Sequence, residues 1–283
     1  MTDRPHWSYS ALNQFLRCPL QYYFRRVLGL PSQTTGSGLI LGSSVHAALA
    51  AYHSAIQRHE TIPREQLISA FQNTWEEREA AEAVIYKDGE TRDDTQAQGI
   101  SLVELYLKEP PPENVIAVEQ SFLVPLFNSH GEYLETPLVA IVDLITAGED
   151  DTWKVTEFKT SGRAYGESEV ATSLQPTCYV HAIAAAFGRA ATVEYAVLVK
   201  TKTPKLQRLK TARYDEDSGR LGDMIQTVER AIQLNVFYPV ESPLNCSTCP
   251  YRQPCRDWGR NSKPVEAFVP LEELRETATC SPS

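Results

Sequence analysis

Short apolar runs in the second half of the chain predict a β-sheet. They span Val115–Val124, Ala140–Ile145, Val155–Thr160 and Val193–Val199. Each has the length and β-branched content typical of a strand. The polar segment Gly148–Asp151 separates the second run from the third and predicts a turn, so these two runs are expected to pair as a hairpin.

Helical periodicity dominates the first half of the chain. Apolar residues at three- and four-residue spacing predict a helix over about 39–59 and two more within 64–108. A short helix capped by Ser8 or Ser10 and another beginning at Pro19 are expected before them. Further helices are expected at about 167–187 and over Leu221–Val236, so the chain is predicted to be of the α/β class.

Three charged residues interrupt the apolar runs of the predicted hairpin. Alternation along a strand places Glu157 and Lys159 on one face, and pairing of the two runs brings Asp143 beside Glu157. Two carboxylates supply oxygen ligands for a divalent ion, and a lysine can orient a water or stabilise charge on a phosphate. The alternative is an exposed hairpin with a solvated Glu/Lys pair. Charges within a buried strand are costly unless they are paired or bind metal, which favours the functional interpretation.

The cysteines suggest a second site. Cys246, Cys249 and Cys255 have the spacing C-x2-C-x5-C, which is typical of metal ligands. A thiolate site needs four ligands, and Cys18 is the best candidate for the fourth. Two weaker candidates remain, one inside a predicted helix and one in a polar tail: Cys178 and Cys280. The spacing alone does not distinguish zinc from an iron–sulfur cluster, since both take four thiolates.

Composition and charge narrow the class of protein. The 283 residues carry a net charge of −9, but 60–119 alone hold fourteen acidic and five basic residues. By contrast, 200–213 contain six basic residues and no acid, which permits nucleic-acid binding. No apolar run approaches the roughly 20 residues of a membrane span, and no signal-peptide layout begins the chain, so an intracellular protein without membrane contact is expected.

Together these segments resemble the RecB-like branch of the PD-(D/E)xK superfamily. Within it they are most similar to iron–sulfur exonucleases such as the CRISPR-associated RecB-like proteins and AddB-type nuclease domains. The resemblance covers about residues 8–258 and follows the family's order of motifs. The matching segments are Ser8–Leu12, Cys18–Tyr23, Gly42–His46, Asp143, Glu157–Lys159, Gln175–Tyr179 and the three C-terminal cysteines. Departures are Ala140, where many relatives have glycine, and Pro176 within the Gln-x-x-x-Tyr motif.

The resemblance implies a restriction-endonuclease-like core, a mixed sheet flanked by helices. It also implies an N-terminal helical region and a four-cysteine metal site joining the two ends of the chain. Domain boundaries follow: a cysteine lobe from 1–30 and 237–260, a helical insertion at 36–112, a catalytic core at 113–236 and a tail at 261–283, all in one nuclease domain.

The same resemblance assigns roles to residues. Asp143, Glu157 and His46 would hold magnesium or manganese, and Lys159 would position the attacking water. Gln175 and Tyr179 would contact DNA or Lys159. Glu119 lies where several relatives have an extra acidic residue and is left unassigned. A basic rim for DNA is expected at four positions: Lys200, Lys202, Lys205 and Arg208.

The expected function is therefore a divalent-metal-dependent DNA exonuclease acting on single-stranded or frayed ends, with a structural [4Fe-4S] cluster or, alternatively, zinc. The competing hypothesis is a catalytically silent, nuclease-like DNA-binding subunit. Either form would act with DNA in a prokaryotic or viral-host cytoplasm, alongside a helicase, recombination or CRISPR adaptation protein.

Overall fold

The computed structural model describes residues 5–32, 34–148 and 152–261, with the backbone alone at 259–261. These residues fall into two compact units that divide after Pro250. The second unit contains, in its described part, one helix, Arg252–Asn261. The first unit contains, in chain order, β1 (Trp7–Ser8), α1 (Tyr9–Arg17), α2 (Pro19–Tyr22), a π-helical turn (Tyr23–Val27), β2 (Thr34–Gly36), α3 (Ser37–Gln57), α4 (Arg64–Ala81), β3 (Ala83–Ile85), α5 (Arg92–Tyr106), β4 (Val115–Val124), β5 (Leu138–Ala147), β6 (Trp153–Ser161), α6 (Glu167–Ala171), α7 (Gln175–Phe187), β7 (Ala191–Val199), β8 (Lys205–Thr211), α8 (Asp215–Gln233) and α9 (Pro243–Cys246).

Strand β5 organises the sheet because it has partners along both edges. Antiparallel β4 follows one edge for nearly the whole length of β5. On the other edge, antiparallel β6 pairs with residues 144–147, whereas parallel β1 pairs with 138–139. The sheet continues through β7, parallel to β6, and β8, antiparallel to β7. This mixed sheet flanked by helices confirms the predicted fold class in its coarse form.

Each face of the sheet is covered by its own hydrophobic core. On one face, Leu12 of α1, Ile183 of α7 and Ile225 of α8 pack with β-strand residues such as Val142. On the other face, α3, α4 and α5 pack over residues that include Leu144 and Phe158. The sheet therefore lies between two helical layers.

Helix α3 is long and apolar enough, by length and composition, to cross a membrane. The expectation that no run approaches that length was therefore wrong. In this structure the helix is part of the second core, with Ile40, Leu41, Val45 and Leu49 buried against the sheet and neighbouring helices. Buried core helices of globular proteins can be equally long and apolar, so α3 gives no indication of a membrane segment.

Two predicted helix boundaries changed for local chemical reasons. The helix expected over 167–187 is divided into α6 and α7, and Gln175 and Pro176 begin the second of these. Proline is tolerated there because the first helical turn does not need its missing N–H. Helix α8 begins six residues before Leu221, at Asp215, because an acidic first turn is stabilised by the helix dipole. Ser8 caps α1 as predicted, its Oγ accepting from the Ala11 N–H at 3.2 Å.

Candidate active site

The predicted catalytic residues lie where the sheet forks. Strand β5 pairs with β6 only from Leu144 onward and with β1 only at Leu138 and Val139. The intervening residues 140–143 have no strand partner on that edge within the described chain. Continuing the β5–β6 register by one step would set Asp143 opposite Glu157, so both carboxylates lie at the point where the two strands separate.

Asp143 lies at a change of phase in β5. Val142 packs in the core under α1 and α7, but Leu144 packs in the core under α3, so the strict alternation of faces is broken between them. The Asp143 carboxylate is buried and its Oδ2 accepts from the Phe158 N–H at 2.8 Å. This bond satisfies a backbone donor that has lost its strand partner at the fork.

Helix α3 contributes His46 from the other side of the fork. Its Nδ1 lies 3.5 Å from Asp143 Oδ1, and its Nε2 lies 2.9 Å from the Phe158 carbonyl oxygen. Burial lowers the pKa of His46, but hydrogen bonding to Asp143 and the surrounding carboxylates outweigh it and raise the pKa to about 9. Without a metal, His46 and Asp143 therefore form an ion pair. Gly42, one turn before His46 in α3, allows the helix to approach Thr160 closely.

Glu119 lies close to His46 and Asp143. It lies across from Asp143 in the β4–β5 register, and one ligand atom from each of His46, Glu119 and Asp143 lies within 4.8 Å of the others. Its backbone has φ of +47°, a left-handed conformation that is rare within a strand. Partial burial and repulsion from Asp143 raise the pKa of Glu119 to about 7, with His46 acting in the opposite direction. We call this group of three the carboxylate–histidine site.

Glu157 occupies the centre of a separate hydrogen-bond network. It is only 2% exposed, and its Oε1 accepts from Lys159 Nζ at 2.6 Å and Gln175 Nε2 at 2.8 Å. The Tyr179 hydroxyl donates to Glu157 Oε2 at 2.5 Å. Gln175 also accepts from Lys159 Nζ at 2.9 Å, so its amide orients both members of the ion pair. Beginning α7 at Gln175 preserves the four-residue spacing to Tyr179, and both side chains reach the site.

Lys159 remains a cation in this network. Burial lowers its pKa, but the adjacent Glu157 carboxylate, with smaller contributions from Tyr195 and Asp143, raises it overall. Burial and repulsion from Asp143 raise the pKa of Glu157. Tyr195, which the sequence interpretation missed, lies beside Glu157 in the β6–β7 register, with its ring centroid 5.9 Å from Lys159 Nζ. Only the parallel pairing of β6 with β7 reveals this neighbour.

The sequence-predicted metal ligands are thus only partly brought together. His46 and Asp143 belong to the carboxylate–histidine site, whereas Glu157 faces Lys159, Gln175 and Tyr179. Tyr179 bonds to Glu157 and Gln175. The assignment of Glu157 as a metal ligand stays a prediction.

Two of the four basic residues predicted to contact DNA are engaged within the protein. Arg208 donates to Glu194 Oε1 at 2.6 Å and lies 3.5 Å from Glu109, so its charge is already paired. Lys200 is half-buried beside the N-terminal part of α3, close to Gly38, and burial lowers its pKa. Lys202 and Lys205 are exposed around the start of β8. Of the four predicted DNA contacts, these last two are the most available to a phosphate backbone.

Contacts between distant segments bring three of the predicted cluster cysteines into one region. The Val240 N–H donates to Cys18 Sγ at 3.5 Å, and Gln21 Nε2 donates to Cys249 Sγ at 3.6 Å. Asn245, next to Cys246, donates to the Arg17 carbonyl at 3.0 Å. Among the described residues, however, the cysteine sulfurs do not form a group as close as the carboxylate–histidine site. Cys255 lies beyond the division after Pro250, and Cys280 lies outside the described residues.

Comparison with known proteins agrees with this geometry. The sequence profile of the PD-(D/E)XK nuclease superfamily matches residues 6–256. No functionally curated protein matches the chain. The crystal structure of a candidate exonuclease from Eubacterium rectale is 11% identical with a TM-score of 0.56, over 95% of this chain and 92% of that chain. The structure of SSO0001 is 13% identical over 82% and 91% of the two chains, with a TM-score of 0.36. The first likeness supports the fold alone, and the second is too low to support an argument.

Proposed function

Because the chain belongs to the PD-(D/E)XK nuclease superfamily, we propose that it is a divalent-metal-dependent DNA nuclease, and specifically an exonuclease on single-stranded or frayed ends. One observation carries the proposal: the carboxylate–histidine site lies at the same strand fork as the Glu157–Lys159 pair. The superfamily match covers most of the chain, so the proposal does not depend on one motif.

The donor atoms of the carboxylate–histidine site suit a magnesium or manganese ion. Two carboxylates and an imidazole offer the hard oxygen and nitrogen ligands that these ions accept. Asp143 and Glu119 repel each other when both are ionised, and a bound cation would relieve this repulsion. When bound, such an ion polarises the scissile phosphate and lowers the pKa of a coordinated water. Glu157 is a further candidate ligand, provided that it exchanges one of its present hydrogen bonds.

Side chains of the protein would orient the attacking water, stabilise the phosphate charge and hold the DNA backbone. Lys159, held as an ammonium by Glu157 and Gln175, would orient the attacking water and stabilise negative charge on the phosphate. A new bond would form between the water oxygen and phosphorus as the bond from phosphorus to the leaving sugar oxygen breaks. The attacking water would release a proton to solvent, and the leaving oxygen would take one up from solvent. Tyr179 and Gln175 would keep Glu157 and Lys159 in place. Lys202 and Lys205 would contact the phosphate backbone, and Lys200 would support them.

The competing proposal is a silent DNA-binding subunit. Buried charges reduce folding stability unless they are well paired, and a protein without catalysis has no need for a buried Glu157–Lys159 pair beside two more carboxylates. The composition of the site therefore favours an active enzyme. In either form we expect a cytoplasmic protein that works with a helicase, recombination or CRISPR adaptation complex.

Wild-type protein is expected to shorten end-labelled single-stranded DNA in Mg²⁺ or Mn²⁺ and to leave it intact in EDTA. Gel analysis of linear and circular single strands, and of blunt and frayed duplexes, measures this directly. Degradation of linear strands with circles spared would establish exonuclease action. Cleavage of circles would replace it with endonuclease action, and intact DNA under all metal conditions would favour the silent subunit.

We also propose that Cys18, Cys246, Cys249 and Cys255 hold a structural [4Fe-4S] cluster, with zinc as the alternative. The support is the cysteine spacing together with N–H donors to the sulfurs of Cys18 and Cys249, which are common around thiolate clusters. A ligand set drawn from both ends of the sequence would cross-link segments more than 200 positions apart, so we assign the cluster a folding role.

Anaerobically purified wild-type protein is expected to be brown and to contain about four irons per chain. Cys249→Ser and Cys18→Ser should lose iron and melt at lower temperature, because each removes a ligand. Cys178→Ser is the matched control, since this buried cysteine of α7 belongs to the hydrophobic core. Colourless protein with stoichiometric zinc would establish the alternative, and equal iron in all variants would exclude the proposed ligands.

A further inference from the structure

Two large aliphatic side chains are exposed on the paired strands β4 and β5. Ile141 of β5 is 51% exposed and Leu123 of β4 is 46% exposed. On the opposite face of the same strands, Val142, Ala140 and Val124 are buried in the core. Ile141 belongs to one of the apolar runs that predict the sheet, yet its side chain is half exposed.

These side chains lie on the same strand pair as the carboxylate–histidine site, Ile141 about 7 Å and Leu123 about 13 Å from it along the strands. Ile141 precedes Asp143 by two residues, and Leu123 follows Glu119 by four on the paired strand. Ser121 is the cross-strand partner of Ile141, and Val139 is that of Leu123, so Leu123 and Ile141 are diagonal neighbours on one face. Two residues of strand advance about 7 Å, which places Ile141 roughly that far from Asp143 along the sheet. We call Leu123 and Ile141 the apolar ledge.

We propose that the apolar ledge seats the unpaired nucleobases of a DNA single strand while the adjacent phosphate occupies the carboxylate–histidine site. This inference rests on the proposed nuclease function. A nucleic-acid strand presents a phosphate and an apolar base face within each nucleotide. The strand pair likewise presents carboxylates at the fork and exposed aliphatic side chains further along the same strands. Base faces are accessible in a single strand but covered by stacking within a duplex. The ledge therefore selects unpaired or frayed ends.

The apolar ledge is not expected to distinguish one type of base from another. Aliphatic surfaces contact any base by van der Waals attraction and offer no hydrogen-bond donor, so no base preference is expected from them. Leucine and isoleucine side chains can enter between bases and unstack them, which suits a ledge at the mouth of an end-trimming site. A protein partner fits less well, because two side chains supply far less than the roughly 1,000 Å² of a stable protein interface.

The experiment compares DNA binding by the double variant Leu123→Thr/Ile141→Thr with that by wild type. Threonine keeps the β-branched shape suited to a strand but weakens apolar contact. Ile85→Thr is the control, because Ile85 is a similarly exposed strand isoleucine, 56%, on β3 of the separate two-stranded sheet. Fluorescence anisotropy in Ca²⁺ gives Kd for a labelled single strand and for the same strand with abasic sugars near its end.

The double variant should bind ordinary single-stranded DNA about tenfold more weakly than wild type does. On abasic DNA the two proteins should have the same Kd, because the bases that the ledge contacts are missing. Ile85→Thr should match wild type on both. Unchanged affinity of the double variant for ordinary DNA, or equal losses on both strands, would overturn the proposal. Since binding is measured without cleavage, failure of the nuclease function leaves this test intact and would be seen separately.

Discussion

Replacing Lys159 by methionine is expected to lower the rate of DNA cleavage by about 10³-fold. Methionine preserves most of the side chain's length but removes the charge that lies 2.6 Å from Glu157 and 2.9 Å from Gln175. Glu157 keeps its bonds to Tyr179 and Gln175, so the network remains hydrogen-bonded and the fold should survive. Single-turnover cleavage in Mg²⁺ measures the effect.

Lys154→Met is the matched control for this measurement. Lys154 lies on the same strand, β6, and is also paired with a glutamate, at 3.7 Å from Glu194, but at the end remote from the fork. Its replacement should leave cleavage within about twofold of wild type, because Glu194 remains paired with Arg208 at 2.6 Å and Lys154 lies away from the site. Binding of Mn²⁺ should persist in Lys159→Met, which would separate a catalytic defect from loss of the site. Wild-type cleavage by Lys159→Met would remove the lysine from the mechanism.

Acid is expected to destabilise the protein through His53, a residue of α3 whose side chain has no exposed surface. Its ring stacks on Phe158 at 5.5 Å, and neither ring nitrogen has a hydrogen-bond partner among the described residues. Burial, with a smaller contribution from Arg208, lowers the pKa of His53 to about 4. The unfolded chain takes up the proton near pH 6.5, before the folded protein does.

Because the unfolded chain binds this proton at a higher pH than the folded protein does, protonation favours unfolding. Stability is fully present above pH 6.5 and falls as the pH decreases toward 4, by up to about 3 kcal/mol. The variant His53→Phe should lack this component, because phenylalanine retains the stacking but cannot be protonated. Urea unfolding of both proteins at several pH values measures the difference, and His130→Gln, at an exposed turn, is the control. Parallel pH profiles for wild type and His53→Phe would contradict the assignment.

Local patterns were sufficient to predict the centre of the site. Period-two alternation placed Glu157 and Lys159 together, and the hairpin brought Asp143 beside them, as the β5–β6 register bears out. Gln175 and Tyr179 are four residues apart, a spacing that puts both side chains on one face of a helix, and the two are hydrogen-bonded in α7. These relationships are short-range and depend on the geometry of one strand pair or one helix. These local relationships do not depend on how the other segments of the chain pack.

Relationships that depend on distant segments could not be predicted in the same way. The fork exists because two strands share one edge of β5: β6 pairs with its C-terminal part and β1 with its N-terminal part. Strand β1 precedes β5 by more than 120 positions, so no local pattern predicts this pairing. Glu119 reaches the site through a backbone conformation that no hydrophobic pattern indicates. Arg208 was assigned to DNA on charge alone, but Glu194 on the neighbouring strand neutralises it. The exposure of Ile141 could not be predicted either, because the apolarity of a strand does not reveal which of its faces lacks a cover.

The left-handed backbone at Glu119 has a consequence for how such a protein can change over evolutionary time. A non-glycine residue in this conformation costs on the order of 1 kcal/mol or more, and glycine would remove most of that cost. Selection for folding stability alone would therefore favour glycine at this position, with loss of the carboxylate. A descendant without the proposed nuclease activity should be free to accept glycine here, so the identity of this single residue can mark which lineages have kept that activity.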